Sequence, residues 1–491
     1  MKKQINLFSF VLGIAGAALL YFAGWEYNIP LAPWIALPLL VYHFRSQYRW
    51  YHTLPVAAAS LIAKFFAMHG GWDMGVGLEA AFAVVVSVPL LAALYLDRAF
   101  HSKMNATVAT LVFPLVYTLL DYGTTFLNLG MTCTLAYTQC TFLTLIQLSS
   151  LLGTWAVGFI VAWFAPVAVL VFKHLFELKK AVKPAAMFAA VLALVISFGA
   201  VRLVFNRPDS DTVRIASVTA AHSEDYWTTI TDNNTPREDA SAKKPEMAQI
   251  RDELFARSKE AAQYGAKVIF WSEGDAPLYD DDYDAFIIKA QQFAKEYGVY
   301  FIPAAVVFHY DRAKNDNIAV IIDPKGNVLY RYEKTISWYP TDSDGKIPVI
   351  QTPYGKIAVA ICFDMDYPGL IRKAKDADIM LVPAYDTKKI SDYHTRVAFL
   401  RGVENGFSIV RQANEGTSIS ADYLGNTLTY QKFFYTQPSV MISDVPTRGE
   451  GTLYGSIGNI FLLLAAAAIP VLFASQIKRL RRKSEPAVNY H

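Results

Sequence analysis

A cysteine that ends an apolar run is a candidate nucleophile. In Val359-Ala360-Ile361-Cys362-Phe363-Asp364, a stretch of β-formers ends in a thiol, and Pro368-Gly369 follows. A strand ending this way puts its last side chain at the carboxyl edge of a sheet, where open α/β folds hold their ligands. Taken alone, such a thiol also reads as inert core packing. Two other strand ends change the weighing. Phe270-Trp271-Ser272-Glu273 ends in a carboxylate, and Tyr330-Arg331-Tyr332-Glu333-Lys334 ends in an ammonium. Singly, a Glu or Lys there is read as solvated. Together they supply a mechanism. The Cys362 thiol attacks a carbonyl, and Glu273 takes its proton and returns it to the leaving group. The Lys334 ammonium favours thiolate and stabilises the tetrahedral oxyanion. The backbone N–H of Phe363 is a second oxyanion donor.

The elements that must position these groups lie between about residues 208 and 450, where composition is that of an ordinary globular domain. Strands are expected at Val213–Val218, Val268–Trp271, Tyr300–Phe308, Ile357–Cys362, Ile379–Val382 and Ser408–Gln412. Helices are expected at Glu246–Gly265, Asp282–Tyr297 and Ser391–Asn405. Pro324-Lys325-Gly326 and Leu424-Gly425-Asn426 mark hairpins. The alternation argues a layered α/β domain. The polar segment Asn233 to Lys244 reads as a loop.

The rest of the chain is different. Overall 54% of residues are hydrophobic and 18% charged, and the excess lies before Phe205. Apolar runs at Leu7–Trp25, Leu31–Tyr42, Leu54–His69, Val76–Leu96, Ala106–Leu129, Leu151–Phe172 and Pro184–Phe205, with Ile457–Ser475 near the end, predict a helical membrane bundle of about eight spans. The segments divide the chain into 1–207, 208–450 and 451–491. Basic residues fall in alternate loops: Lys2 and Lys3, Arg45 and Arg49, Arg98 and Lys103, Lys173 to Lys183, and Lys478 to Lys483. The positive-inside rule then puts both termini in the cytoplasm and residues 208–450 outside it. Glu79 reads as interfacial; Asp121 is deeper, packing against a hydroxyl or amide or serving a function. A net charge of +3 is too small to imply nucleic acid, and no nucleic-acid partner is expected. Three cysteines form no disulfide framework and no metal spacing. Cys133 and Cys140 form a pair only if their loop faces an oxidising compartment.

The order Glu273, Lys334, Cys362, each in its local context, resembles the nitrilase, or carbon–nitrogen hydrolase, superfamily. Val268 to Glu273, Tyr332-Glu333-Lys334 and Ile361-Cys362-Phe363-Asp364 look like its three motifs, and Arg401-Gly402-Val403-Glu404-Asn405-Gly406 is similar to a later helix end. The resemblance implies an α-β-β-α sandwich. A nitrilase-type domain set between apolar spans, with Thr452 to Asn459 at the junction, resembles the apolipoprotein N-acyltransferase family. That implies a bacterial inner-membrane enzyme without metal or organic cofactor. Its acyl donor would be a phospholipid and its acceptor the amine of a lipoprotein's diacylglyceryl cysteine. Trp227 lies where similar enzymes carry an aromatic arm over the lipid, and the segment 233–244 would belong to that lid; Trp338, in the loop after Lys334, is the other substrate-binding candidate. Similar acyltransferases have Tyr-Glu after the nucleophile where this chain has Phe363-Asp364, and a further Glu where it offers Asp342. The alternatives are a membrane-tethered amidase of the same fold, a paralogue acylating another amine, and a non-enzymatic transporter or scaffold.

Overall fold

The computed structural model describes residues 6–72, 75–127, 129–131, 134–175, 177–220, 237–310, 314–337, 341–433 and 440–484. The chain divides into two units: Met1–Arg202 with Ile457–His491, and Leu203–Ser456.

The first unit is helical. Its principal helices are Leu7–Leu19, Ala32–Ser46, Leu54–Met68, Val76–Phe100, Val112–Thr124, Thr154–Lys173, Val182–Phe205 and Ile460–Ser484. Among the described residues, four stretches are long and apolar enough to cross a membrane: Val76–Lys103, Ala106–Leu127, Thr154–Lys173 and Val182–Phe205. Ala32–Ser46 and Leu54–Met68 have 15 residues each. At about 1.5 Å per residue they fall short of the ~30 Å hydrocarbon layer. Ile62, Val88 and Leu194 face outward, while polar groups are paired inside. Arg45 meets the buried Asp97 at 2.7 Å, and Gln47 donates to the Ser9 hydroxyl at 2.8 Å. Asp121 accepts from the Thr134 hydroxyl at 2.9 Å, the hydroxyl packing open to it from sequence. Glu79 accepts from the Gly70 N–H at 3.0 Å. Cys140 is buried; Cys133, and with it any pairing of the two, lies outside the described residues.

Among the described residues, the second unit is built on fourteen strands. They are β1 Thr212–Val218, β2 Val268–Trp271, β3 Ala276–Tyr279, β4 Tyr300–Ile302, β5 Ala304–Phe308, β6 Asp316–Ile322, β7 Val328–Glu333, β8 Val349–Thr352, β9 Gly355–Val359, β10 Ile379–Tyr385, β11 Ser408–Asn414, β12 Thr417–Ala421, β13 Thr427–Lys432 and β14 Val440–Pro446. One sheet runs β14-β1-β2-β4-β6-β5-β3 with β7 on β6, and the other runs β13-β12-β11-β10-β9-β8. In the first, β1, β2 and β4 are parallel; in the second, β9, β10 and β11 are parallel. The central strands β2 and β11, and β10 up to Ala384, are buried on both faces, as expected of strands sandwiched between layers. Ser217 of β1 donates to Gln412 of β11 at 2.6 Å, which ties the two sheets together.

Helices pack on the sheets. In Arg237–Gln263, Ser258 accepts from the indole N–H of buried Trp271 at 2.8 Å, and Phe255 lies edge-on to that ring at 5.1 Å. Ser391–Asn405 covers the second sheet and buries nearly every residue. The segment expected as a loop up to Lys244 is corrected here. From Arg237 onward it belongs to the long helix, because Met247 is fully buried and Lys244 is pinned by Asp281 at 2.6 Å.

Candidate active site

The same topology gathers the site. In the second sheet three adjacent parallel strands end side by side: β9 leads into Cys362, β10 ends at Tyr385, and β11 ends at Asn414. In the first sheet β2 leads into Glu273 and β7 into Lys334. Carboxyl edges of parallel strands are where backbone groups are left without a ladder partner, so side chains and ligands collect there.

Cys362 sits just past the strand rather than in it. β9 stops at Val359, and Cys362 opens a short 3-10 turn, Cys362–Asp366. Its φ is 47°. A left-handed backbone costs an L-residue about 1–2 kcal/mol and persists only where the surroundings force it. Asp364 supplies that force. Its backbone N–H donates to Ile361 O at 3.0 Å, and its Oδ2 accepts from the Ile361 N–H at 3.1 Å. The thiol donates to the carbonyl of Tyr385, with Sγ 3.4 Å from the oxygen.

Glu273 follows β2, and the turn after it uses Gly274 at φ 66°, a conformation that glycine adopts without strain. Its Oε1 accepts from Lys334 Nζ at 2.6 Å and from Asn317 Nδ2 at 2.8 Å. Its Oε2 accepts from the Tyr385 N–H at 3.0 Å. Tyr385 therefore touches the thiol through its C=O and the carboxylate through its N–H. The structure brings Glu273, Lys334 and Cys362 into one cluster, with Glu273 and Cys362 buried and Lys334 partly so.

The electrostatics of this cluster set Lys334 against burial and Glu273. Burial, then the Glu273 charge, pushes the Cys362 thiol well above its ordinary range, and Lys334 only partly offsets them. The resting group is a thiol, not a thiolate. Burial works against the Lys334 ammonium, but the Glu273 charge and its hydrogen bond to Nζ outweigh it and raise its pKa, so it stays charged. The arrangement is that of a neutral thiol, a carboxylate held through Tyr385, and a fixed cation.

Asp364 does not line up as a second reactive carboxylate. It is fully buried, and Oδ2 also accepts from the Tyr332 hydroxyl at 2.6 Å while Oδ1 accepts from the Ile336 N–H at 2.7 Å. Burial raises its pKa to about 6, with Tyr332 and Lys334 pulling the other way. Asp342 is drawn elsewhere: its carboxylate meets Lys314 at 2.5 Å, and its N–H donates to Glu333 at 2.8 Å. The Phe363 ring packs edge-on to Tyr367 at 5.5 Å. Trp227 and Trp338 lie outside the described residues.

Sequence reasoning missed Tyr385, Asn317, Asp386, His394, Arg411 and Glu415. Asp386 accepts two hydrogen bonds from Arg411, at 2.8 and 2.9 Å, and pairs with His394 Nδ1 at 3.0 Å. Burial opposes its ionisation, but Arg411 and His394 prevail and hold it below the usual carboxylate range. The carboxyl-edge rule that picked out Cys362 also points to Tyr385 and Asp386, had β10 been extended beyond Val382.

Among the described residues, two groups have metal-ligand donor types close together: Cys362, Asp386 and His394, and Asp316, Glu333 and Asp342. In each, cations already occupy the carboxylates. Arg411 grips Asp386, Arg331 meets Asp316 at 2.8 Å and Glu333 at 3.1 Å, and Lys314 meets Asp342. Such a field opposes a bound metal ion.

Residues 214–455 match the carbon-nitrogen hydrolase family model. They form a carbon-nitrogen hydrolase domain. Similarity to known proteins extends past this domain. An apolipoprotein N-acyltransferase of Geobacter metallireducens is 24% identical over 447 residues, which is 83% of this chain and 81% of that protein. The resemblance to that family therefore reaches into the helical unit. A formamidase of Bacillus cereus is 34% identical over 117 residues, 22% of this chain and 32% of the formamidase. Among solved structures, an amidase from Nesterenkonia sp. has 16% identity and a TM-score of 0.40, covering 52% of this chain and 95% of the amidase.

Proposed function

We propose that the protein is a membrane-bound N-acyltransferase that takes a fatty acyl chain from a phospholipid onto Cys362 and passes it to the N-terminal amine of a diacylated lipoprotein. The observation that carries this reading is the cluster of Glu273, Lys334 and Cys362 at the carboxyl edges of both sheets, with Tyr385 joining thiol and carboxylate. Similarity to an apolipoprotein N-acyltransferase along both units supports transfer over hydrolysis.

In the first half-reaction Sγ attacks the ester carbonyl while Glu273 accepts the thiol proton. A base is needed because the resting thiol is protonated. The oxyanion forms against the Lys334 ammonium and the Phe363 N–H. The C–O bond breaks, Glu273 protonates the leaving alkoxide, and an acyl thioester remains. In the second half-reaction the acceptor nitrogen attacks the thioester. The C–N bond forms, the C–S bond breaks, and Glu273 moves the amine proton to the thiolate.

A lipid donor and a lipid-anchored acceptor suit a site on a chain with apolar spans. We read about seven spans before the domain and one after it, with both termini cytoplasmic and the domain on the outer face of a bacterial inner membrane. Trp227 and Trp338 remain the substrate-binding candidates of this proposal.

The test offers purified protein a labelled phospholipid and a diacylated lipopeptide. Mass spectrometry should find an acyl group on Cys362 and then on the peptide amine, and neither with Cys362→Ala. An acyl-enzyme that yields only free fatty acid with every amine would make the protein a hydrolase of the formamidase kind.

A further inference from the structure

Among the described residues, two non-glycine residues have a positive φ: Cys362, at 47°, and Glu415, at 52°. Non-glycine residues held in this region collect at functional sites, where the surroundings over-determine them. The first is the nucleophile. The second has no part in the chemistry above, yet the same residue serves both. Tyr385 accepts from Cys362 Sγ through its carbonyl, and its phenol donates to Glu415 Oε2 at 3.2 Å.

The turn that presents Glu415 is clamped on both sides by the site. The Glu415 N–H donates to Asn414 Oδ1 at 2.9 Å, and Asn414 Nδ2 donates to Asp275 Oδ1 at 2.7 Å. Asn414 and Asp275 are fully buried, and Asp275 stands two residues after Glu273. On the other side Gly416 packs so closely on Asp386 that an added Cβ would lie 2.6 Å from its Oδ2. Burial, then the Glu415 charge, holds the Tyr385 phenol well above its ordinary range, so it remains a donor. Glu415 itself is only partly buried. The result is a carboxylate fixed at the carboxyl edge of β11, one residue away from contacts to both Sγ and Glu273.

We propose that Glu415 is an anionic subsite that receives a primary ammonium group of a substrate beside the Cys362 thioester. This rests on the transfer reading above. A carboxylate with a charge-assisted bond to an ammonium orients the nitrogen before it loses its proton. Two substrates carry that group: the α-amine of the acceptor, and an ethanolamine headgroup on the donor lipid.

The experiment uses the full-length protein and Glu415→Gln, which keeps the size of the side chain and an oxygen for Tyr385. Four rates are compared with wild type. Two are formation of acyl-Cys362 from phospholipids with an ethanolamine or a glycerol headgroup. Two are discharge of preformed acyl-enzyme by a diacylated lipopeptide, whose amine is cationic, or by hydroxylamine, which is uncharged at neutral pH. If the acceptor is the ligand, lipopeptide discharge slows about tenfold or more with a raised KM, and the other three rates hold. If the headgroup is the ligand, formation from the ethanolamine lipid alone slows. Four unchanged rates would overturn the proposal, and so would four rates lowered alike, which would mark Glu415 as support for the fold. Failure of the transfer reading shows separately: wild-type acyl-enzyme would then go only to water, while the headgroup comparison still judges Glu415.

Discussion

Asp364 accepts the peptide N–H of Ile336 at 2.7 Å, so the carboxylate two residues past the thiol holds the chain two residues past the lysine. With its bonds to Tyr332 and Ile361, this one side chain sets the height of Lys334 against Cys362. Asp364→Ala leaves buried donors unpaired. It should lose about 1–3 kcal/mol of stability, seen as a lower unfolding temperature, and slow acyl-enzyme formation. Asp364→Glu, which would supply the longer carboxylate of similar acyltransferases, should also destabilise, by about 1–3 kcal/mol, because the pocket is full.

Glu273 and Lys334 act on the thiol in opposite directions. Glu273 raises its pKa and Lys334 lowers it. Glu273→Gln should therefore abolish turnover, by at least about 100-fold, yet speed alkylation of Cys362 by iodoacetamide at neutral pH. Lys334→Met should slow both. Slower alkylation in Glu273→Gln would contradict the electrostatics described here.

Asp366 is fully buried, and burial raises its pKa to about 6 against the pull of His394, Arg401 and Arg411. In the unfolded chain an aspartate ionises near 4. The folded state thus holds this proton more tightly, and its contribution to stability is lost as pH rises from about 4 to about 6. Asp366→Asn has no such loss. Relative to that variant, wild type should lose about 1–3 kcal/mol between pH 4 and 7, measured by thermal unfolding across a pH series.

Arg411 and Asp386 form a pair with essentially no solvent exposure. Removing one partner strands a buried charge. Arg411→Met should cost about 3–5 kcal/mol in an unfolding measurement, and Arg411→Met with Asp386→Asn clearly less.

Glu415 is held in a left-handed backbone that suits glycine. Both Glu415→Gly and Glu415→Ala lose the Tyr385 bond, but only glycine relieves the strain, so Glu415→Gly should be more stable than Glu415→Ala by about 1 kcal/mol in thermal unfolding.

Local pattern carried much of this protein. The apolar runs, the strand ends at Glu273 and Lys334, the turn signals and the helix at Ser391–Asn405 depend on residues close in sequence, and so they are legible without a fold. Pattern failed where a neighbour in space decided the outcome. Lys244 extends a helix through Pro245 because Asp281 holds it.

What the sequence by itself determined is the kind of chemistry: a thiol, a carboxylate and an ammonium, each at the end of a strand-forming run. Only the tertiary structure decided their state and their supports. The thiol is neutral because the packed sheets bury it beside Glu273, and burial in three dimensions has no signature in local pattern. Asp364 became an anchor because β7 and β9 bring Ile336 and Ile361 within reach of one carboxylate. Tyr385 and Glu415 reached the site because β9, β10 and β11 lie parallel and in register, which sets three distant carboxyl ends side by side.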